Sequence, residues 1–130
     1  MSGNFQETHF MYTYSFEKLA VWKLARAFAV KIYKVTENFP SSERYGMVSQ
    51  LRRAAVSVCS NIAEGSARRF DREQVQFYSY SYGSIVEIVN QLIISCDLGW
   101  ILEDCLNECR NDAEKISFSL NKLKTRPSDN

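Results

Sequence analysis

Apolar side chains recur along this chain at steps of three and four residues in four consecutive runs, which places each run on one face of an α-helix. The first run is Val21, Leu24, Phe28, Ile32, Val35 and Phe39, and the second is Val48, Leu51, Ala55, Val58 and Ile62. The third, Val75, Tyr78, Tyr82, Ile85, Val89, Leu92 and Cys96, follows a heptad a/d pattern without a break. The fourth is Leu102, Cys105, Leu106, Cys109, Ala113, Ile116, Leu120 and Leu123. These runs predict helices over residues 17–38, 43–66, 72–98 and 101–124. They lie within one domain, 16–125, between an N-terminal tail, 1–15, and a C-terminal tail, 126–130.

The residues between the runs punctuate them. Phe39-Pro40 ends the first helix, because the residue before proline is pushed out of the α region, and Ser41 or Ser42 can cap the second. The second helix loosens at Gly65, Asp71 with Gln74 three residues on suggests a capping box for the third, and Gly99 suits a left-handed C-cap. Connections this short make neighbouring helices antiparallel. The expected fold is all-α, an antiparallel up-and-down four-helix bundle. Trp22, Ala29 and Tyr33 on the first helix, and Phe77, Val86, Ile88 and Ile93 on the third, widen the apolar surface beyond one seam. Either the core stripe is wide, or the excess is covered by further copies of the chain; self-association is the expectation.

With 130 residues, 45% of them hydrophobic, the chain has enough for one continuous core. A membrane-spanning helix needs roughly 20 apolar residues in a row. The best candidate, Ile85 to Ile94, is interrupted by Glu87, Asn90 and Gln91, so no membrane partner is expected. Met1 to Ser15 lacks the charged, apolar and small-residue sequence of a secretory signal, and a cytoplasmic location is expected. Cys59, Cys96, Cys105 and Cys109 fall at apolar helical positions and read as small core side chains. The alternative is zinc at Cys105 and Cys109, but a closed site needs four ligands and the only histidine, His9, lies in the tail.

Net charge is only +1, yet it is unevenly spread. Residues 44–72 carry Arg44, Arg52, Arg53, Arg68, Arg69 and Arg72 against Glu64 and Asp71, an excess of four positive charges. Residues 73–114 carry Arg110 against eight carboxylates, an excess of seven negative charges. A basic surface therefore survives the near-neutral total.

Gln50, Arg53, Ser57, Asn61 and Glu64 form a polar stripe on the second helix. In an antiparallel pair turning near Phe70, Arg53 falls level with Glu87 and Ser57 with Gly83. We expect an Arg53–Glu87 ion pair that fixes register, with Gly83 and Ser84 permitting close approach. Asn61 and Glu64 would hold the turn to the third helix or meet a neighbouring subunit. Catalysis would need a matched carboxylate pair, a base beside a nucleophile, a phosphate loop or a metal motif, and none is visible. No enzyme activity, cofactor, metal or small-molecule substrate is expected. Phe77, Tyr78, Tyr80 and Tyr82 follow Arg68, Arg69 and Arg72, an interleaving that can stack bases and meet phosphates, although all but Tyr80 read as core.

The stretches Leu19-Ala-Val-Trp-Lys-Leu-Ala25, Phe39-Pro40, Gln50-Leu-Arg-Arg-Ala-Ala-Val-Ser-Val-Cys-Ser-Asn-Ile-Ala-Glu-Gly65 and Gly83-Ser-Ile-Val-Glu87 closely resemble one family. It is that of the four-helix bundle proteins first noted in intervening sequences of bacterial 23S ribosomal RNA genes. The resemblance spans about residues 14–123. It implies an up-and-down bundle assembling into a homo-oligomeric ring, a pentamer, with no assigned biochemical role. A relative, the accessory protein of diversity-generating retroelements, uses a similar ring with a basic surface to bind nucleic acid and a reverse transcriptase. This chain departs from that relative in its near-neutral charge and acidic third and fourth helices. The expected function is a scaffold or accessory protein that contacts RNA, DNA or a nucleic-acid enzyme through Arg68, Arg69 and Arg72, with Arg52 behind them. The alternative is a protein-interaction module that binds no nucleic acid.

Overall fold

A computed structural model of the chain describes residues 11–125. Among the described residues there are four α-helices and no strand: α1 (Ala20–Thr36), α2 (Met47–Ser66), α3 (Asp71–Asp97) and α4 (Glu103–Thr125). Short 3-10 turns at Ser15–Lys18 and Ser41–Glu43 precede α1 and α2. Each helix packs on its neighbours in sequence and α4 closes back onto α1, whereas the diagonal pairs stay farther apart. That is the contact pattern of an up-and-down bundle.

The helix ends differ from the expected ones for local reasons. α1 stops at Thr36 because the Phe39 amide turns back to the Thr36 carbonyl at 3.1 Å, and Phe39 folds into the core ahead of Pro40. α2 begins at Met47, and its cap is neither serine: the Met47 amide donates to Glu43 Oε1 at 3.1 Å. Asp71 and Gln74 form no capping box. Phe70 is the extended residue before α3, and the Gln74 side-chain amide donates to the Arg68 carbonyl at 2.8 Å. Gly99 does take the left-handed conformation, at φ 82°. The Trp100 amide reaches the Ser95 carbonyl and the Gly99 amide the Cys96 carbonyl, each at 2.9 Å, which closes α3 as a Schellman motif. The chain is thereby turned so that Trp100 packs on Phe39, ring centroids 5.4 Å apart.

The core runs the length of the bundle: Val21, Ala25, Phe28 and Ile32 from α1, Leu51, Ala55, Val58 and Ile62 from α2, Leu106, Cys109, Ile116 and Leu120 from α4. On α3 the buried face is Tyr78, Ser81, Ile85, Ile88, Gln91, Leu92 and Ser95. The expected stripe shares Tyr78, Ile85 and Leu92 with it, but the helix is rotated so that Ser81, Ile88 and Ser95 replace Tyr82, Val89 and Cys96 as the fully buried partners. Small side chains decide this. Ser81 and Ser95 are completely buried, and their hydroxyls donate to the Val58 and Gln91 carbonyls at 2.8 Å each, so neither is left unsatisfied. Gly65 of α2 packs against Phe77 and Tyr78; a Cβ there would lie 2.9 Å from Phe77 Cβ and 2.8 Å from Tyr78 Cε1. Gly83, expected to permit that approach, is exposed, with nothing within 4 Å of where its Cβ would stand. The first and fourth stripes need smaller corrections: Leu24 is 41% exposed while Ala25 is buried, and Leu102 lies ahead of α4, 78% exposed.

Candidate functional site

The polar stripe of α2 serves the α2/α3 seam. Ser57 Oγ accepts from Ser84 Oγ and from Asn61 Nδ2, each at 3.0 Å, and Asn61 Nδ2 also donates to the Ser57 carbonyl at 2.9 Å. Gln91 Nε2 donates to Gln50 Oε1 at 3.0 Å and to Glu87 Oε2 at 3.2 Å. The expected Arg53–Glu87 ion pair does not form. Both side chains are exposed; Glu87 takes a hydrogen bond from Gln91 on its own helix, and Arg53 lines a hollow with Arg44 and Tyr45. Glu64, the last member, sits 3.7 Å from Arg68 at the surface. No pair in the stripe matches a base to a nucleophile.

The arginines divide into two groups. At the α2–α3 turn, Arg68 lies over the Phe77 ring at 4.5 Å, Arg69 lies 5.8 Å from the centre of the Phe70 ring, and Arg72 is exposed on the first turn of α3. The negative C-terminal end of α2 favours Arg68 and Arg69, while the positive N-terminal end of α3 favours Asp71 and Glu73. With Glu64 these carboxylates balance the three arginines, so the turn is mixed in charge.

Arg52 does not stand behind that group. It lies roughly 24 Å along the α2 axis from Arg68, at 1.5 Å per residue. There its Nε donates to Thr36 Oγ1 at 2.9 Å, its terminal nitrogen to the Tyr33 carbonyl at 3.2 Å, and its guanidinium lies over the Tyr33 ring at 4.6 Å. Thr36 Oγ1 in turn donates to the Ile32 carbonyl at 2.8 Å. Arg52 therefore pins α2 to the end of α1. Around it Tyr33, Arg44, Tyr45, Val48, Ser49, Arg53 and Val56 line an open hollow of about 540 Å3. Sequence reading missed this grouping, because Tyr33 and Arg44-Tyr45 come from different elements. The only local signal was Val48, Arg52 and Val56 at four-residue spacing.

A second feature outside the sequence reading joins α1 to α4. Lys31 Nζ donates to Asp112 Oδ2 at 2.8 Å and pairs with Glu108. Burial pulls the ammonium pKa down, but the hydrogen bonds to Asp112 and Glu108 and the Asp112 charge outweigh it and hold it above the ordinary lysine range. All four cysteines are free thiols, Cys109 fully buried and the others half-buried. Burial pushes Cys59 up to about 11, and burial together with the neighbouring Cys105 pushes Cys109 up to about 12. Among the described residues no group of three or more histidine, cysteine or carboxylate side chains could hold a metal ion, and His9 lies outside them. No helix of the described residues is long and apolar enough to cross a membrane.

None of the curated proteins matches this chain. Among solved structures, a protein of unknown function from the S23 ribosomal protein family of Bacteroides thetaiotaomicron has the same fold. Its TM-score is 0.73 at 20% identity, over 82% of this chain and 99% of that one. The family model for the 23S rRNA-intervening sequence protein matches residues 17–122, which takes in all four helices but the last turn of α4. The stretch from Gln50 to Gly65, which lays the polar seam and the close α2/α3 approach, lies within it, and the chain belongs to the 23S rRNA-intervening sequence protein family.

Proposed function

We propose that this protein is a non-enzymatic, homo-oligomeric helical scaffold or accessory factor that contacts nucleic acid through its arginines. The observation that carries the reading is the segregation of charge. Arg44, Arg52, Arg68 and Arg69, on α2 and its flanking turns, lie beside aromatic rings, while the carboxylates concentrate on α3 and α4. Guanidinium groups beside rings serve phosphate and base together, without sequence preference. Arg68, Arg69 and Arg72 are the turn residues we assign to this contact. Arg52 contributes by holding α1 and α2 in place.

Self-association is supported by the groove between α3 and α4, about 590 Å3, with Tyr82, Val86, Val89 and Ile93 on its floor. Val86 is 50% exposed in the single chain, and so is Val30 of α1. A solvated helix face seldom carries that much apolar surface. The same groove supports the second reading, a protein-interaction module that binds no nucleic acid.

Light scattering coupled to size exclusion, with and without single-stranded RNA, tests both parts. The expected result is a pentamer that binds RNA at about 25 mM salt and loses at least tenfold in affinity by about 200 mM, as counterion release requires. A monomer at micromolar concentration would remove the scaffold, and no binding at low salt would remove the nucleic-acid contact. Capture of a protein partner that persists after nuclease treatment would favour the second reading.

A further inference from the structure

The walls of the hollow beside the start of α2 carry three guanidinium groups and no carboxylate. Glu43, just before it in sequence, is turned to the Met47 amide and caps α2. The first amide of α2 is thus already taken by a carboxylate, and the arginines are the charged anion donors of the hollow. Arg52 is held by Thr36 and Tyr33, whereas Arg53 and Arg44 are exposed. Tyr45 is 89% exposed, with only the edge of its environment set by Arg44, 5.8 Å from the ring centre. An aromatic ring held in water at the mouth of a basic hollow is a stacking platform. Val48 and Val56, one turn either side of Arg52, provide an apolar floor between the platform and the guanidinium groups. A volume of about 540 Å3 lies within the range of small-ligand sites.

We propose that this hollow binds a nucleoside phosphate, with the base stacked on Tyr45, the sugar over Val48 and Val56, and the phosphate between Arg44 and Arg53. Arg52 is a positioning residue that keeps the Tyr33 wall upright. The unit is either a free nucleotide or one nucleotide of a single strand. Only in the second form does the proposal rest on the nucleic-acid reading above, and there it moves the principal contact from the turn arginines to the opposite end of α2.

The test uses the full chain at about 25 mM salt with two probes, adenosine monophosphate followed by calorimetry and a fluorescein-labelled single-stranded RNA octamer followed by anisotropy. Tyr45→Ala and Arg53→Ala change exposed side chains, so their helical circular dichroism should match the parent. Each should weaken binding of whichever probe the parent binds by about tenfold or more, and Tyr45→Phe should restore it, since stacking needs only the ring. A combined Arg68→Ala, Arg69→Ala, Arg72→Ala variant should leave nucleotide binding unchanged. If the nucleotide binds and the octamer does not, the hollow stands and the nucleic-acid contact proposed above falls. If the octamer binds and only the turn variant weakens it, that contact stands and the hollow falls. Binding of neither probe, or binding indifferent to Tyr45→Ala and Arg53→Ala, overturns the proposal.

Discussion

Replacing Gly65 with alanine sets two opposing effects of known size against each other. Alanine is favoured over glycine inside a helix by about 1 kcal/mol, and Gly65 lies within α2 with ordinary helical backbone, so propensity alone predicts stabilisation. The structure predicts the reverse. The new methyl would stand 2.8 Å from Tyr78 Cε1, 2.9 Å from Phe77 Cβ and 3.1 Å from Tyr78 Cδ1. Tyr78 is buried and Phe77 Cβ is tied to the α3 backbone, so relief requires the helices to part along their closest seam. Overpacking of this kind costs about 1–3 kcal/mol, which against the propensity gain leaves a net loss of up to roughly 2 kcal/mol and a fall in Tm of up to about 8 °C. Gly83 is the internal control. It lies within α3 with nothing near its Cβ position, so Gly83→Ala should stabilise by about 0.5–1 kcal/mol. Urea melts of both variants, analysed with a shared m-value, read the two signs directly. A Gly65→Ala protein as stable as Gly83→Ala would refute the close α2/α3 approach.

Arg52→Ala and Arg52→Lys should each lose about 1–2 kcal/mol in the same melts, because lysine cannot reach Thr36 and the Tyr33 carbonyl in one fork; Arg53→Ala, an exposed neighbour, should stay within about 0.5 kcal/mol. Equal losses for Arg52 and Arg53 would contradict the pinning role. Lys31→Met should cost only about 0.5–1 kcal/mol, since Lys31 and its partners are partly exposed. The folded Lys31 pKa is raised, so its contribution is complete below the ordinary lysine value of about 10.4 and is lost as pH climbs through the higher folded value. The stability gap between parent and Lys31→Met should therefore be flat from about pH 7 to 9, and narrowing within that window would sink the assignment. Iodoacetamide at neutral pH should label Cys59 and Cys109 slowly in the folded protein and readily in urea, because burial keeps both thiols protonated. Peptide mass spectrometry separates the four sites, and rapid native labelling of Cys109 would show the core to be open.

Four helices were legible in the sequence because amphipathic periodicity is a local property: every third or fourth residue shares a face whatever that face meets. Phe39-Pro40 and Gly99 were legible for the same reason, since a ring that restrains φ, or a residue without a Cβ, acts on its own stretch of backbone. The side of α3 that enters the core was not. A heptad stripe flanked by serines fits two rotations almost equally well. The choice fell to Ser81 and Ser95, whose small buried side chains and satisfied hydroxyls let α3 close on α2. Arg53 and Glu87 do not pair, and Glu87 instead accepts from Gln91 one turn along its own helix. Lys31 and Asp112 stand 81 residues apart in the chain, and Tyr33 and Arg52 19 apart, each pair on different helices. Side chains that distant are brought together by packing alone, so periodicity decides that the chain forms a bundle, and the depth to which each helix can nest in its neighbour decides which polar groups meet.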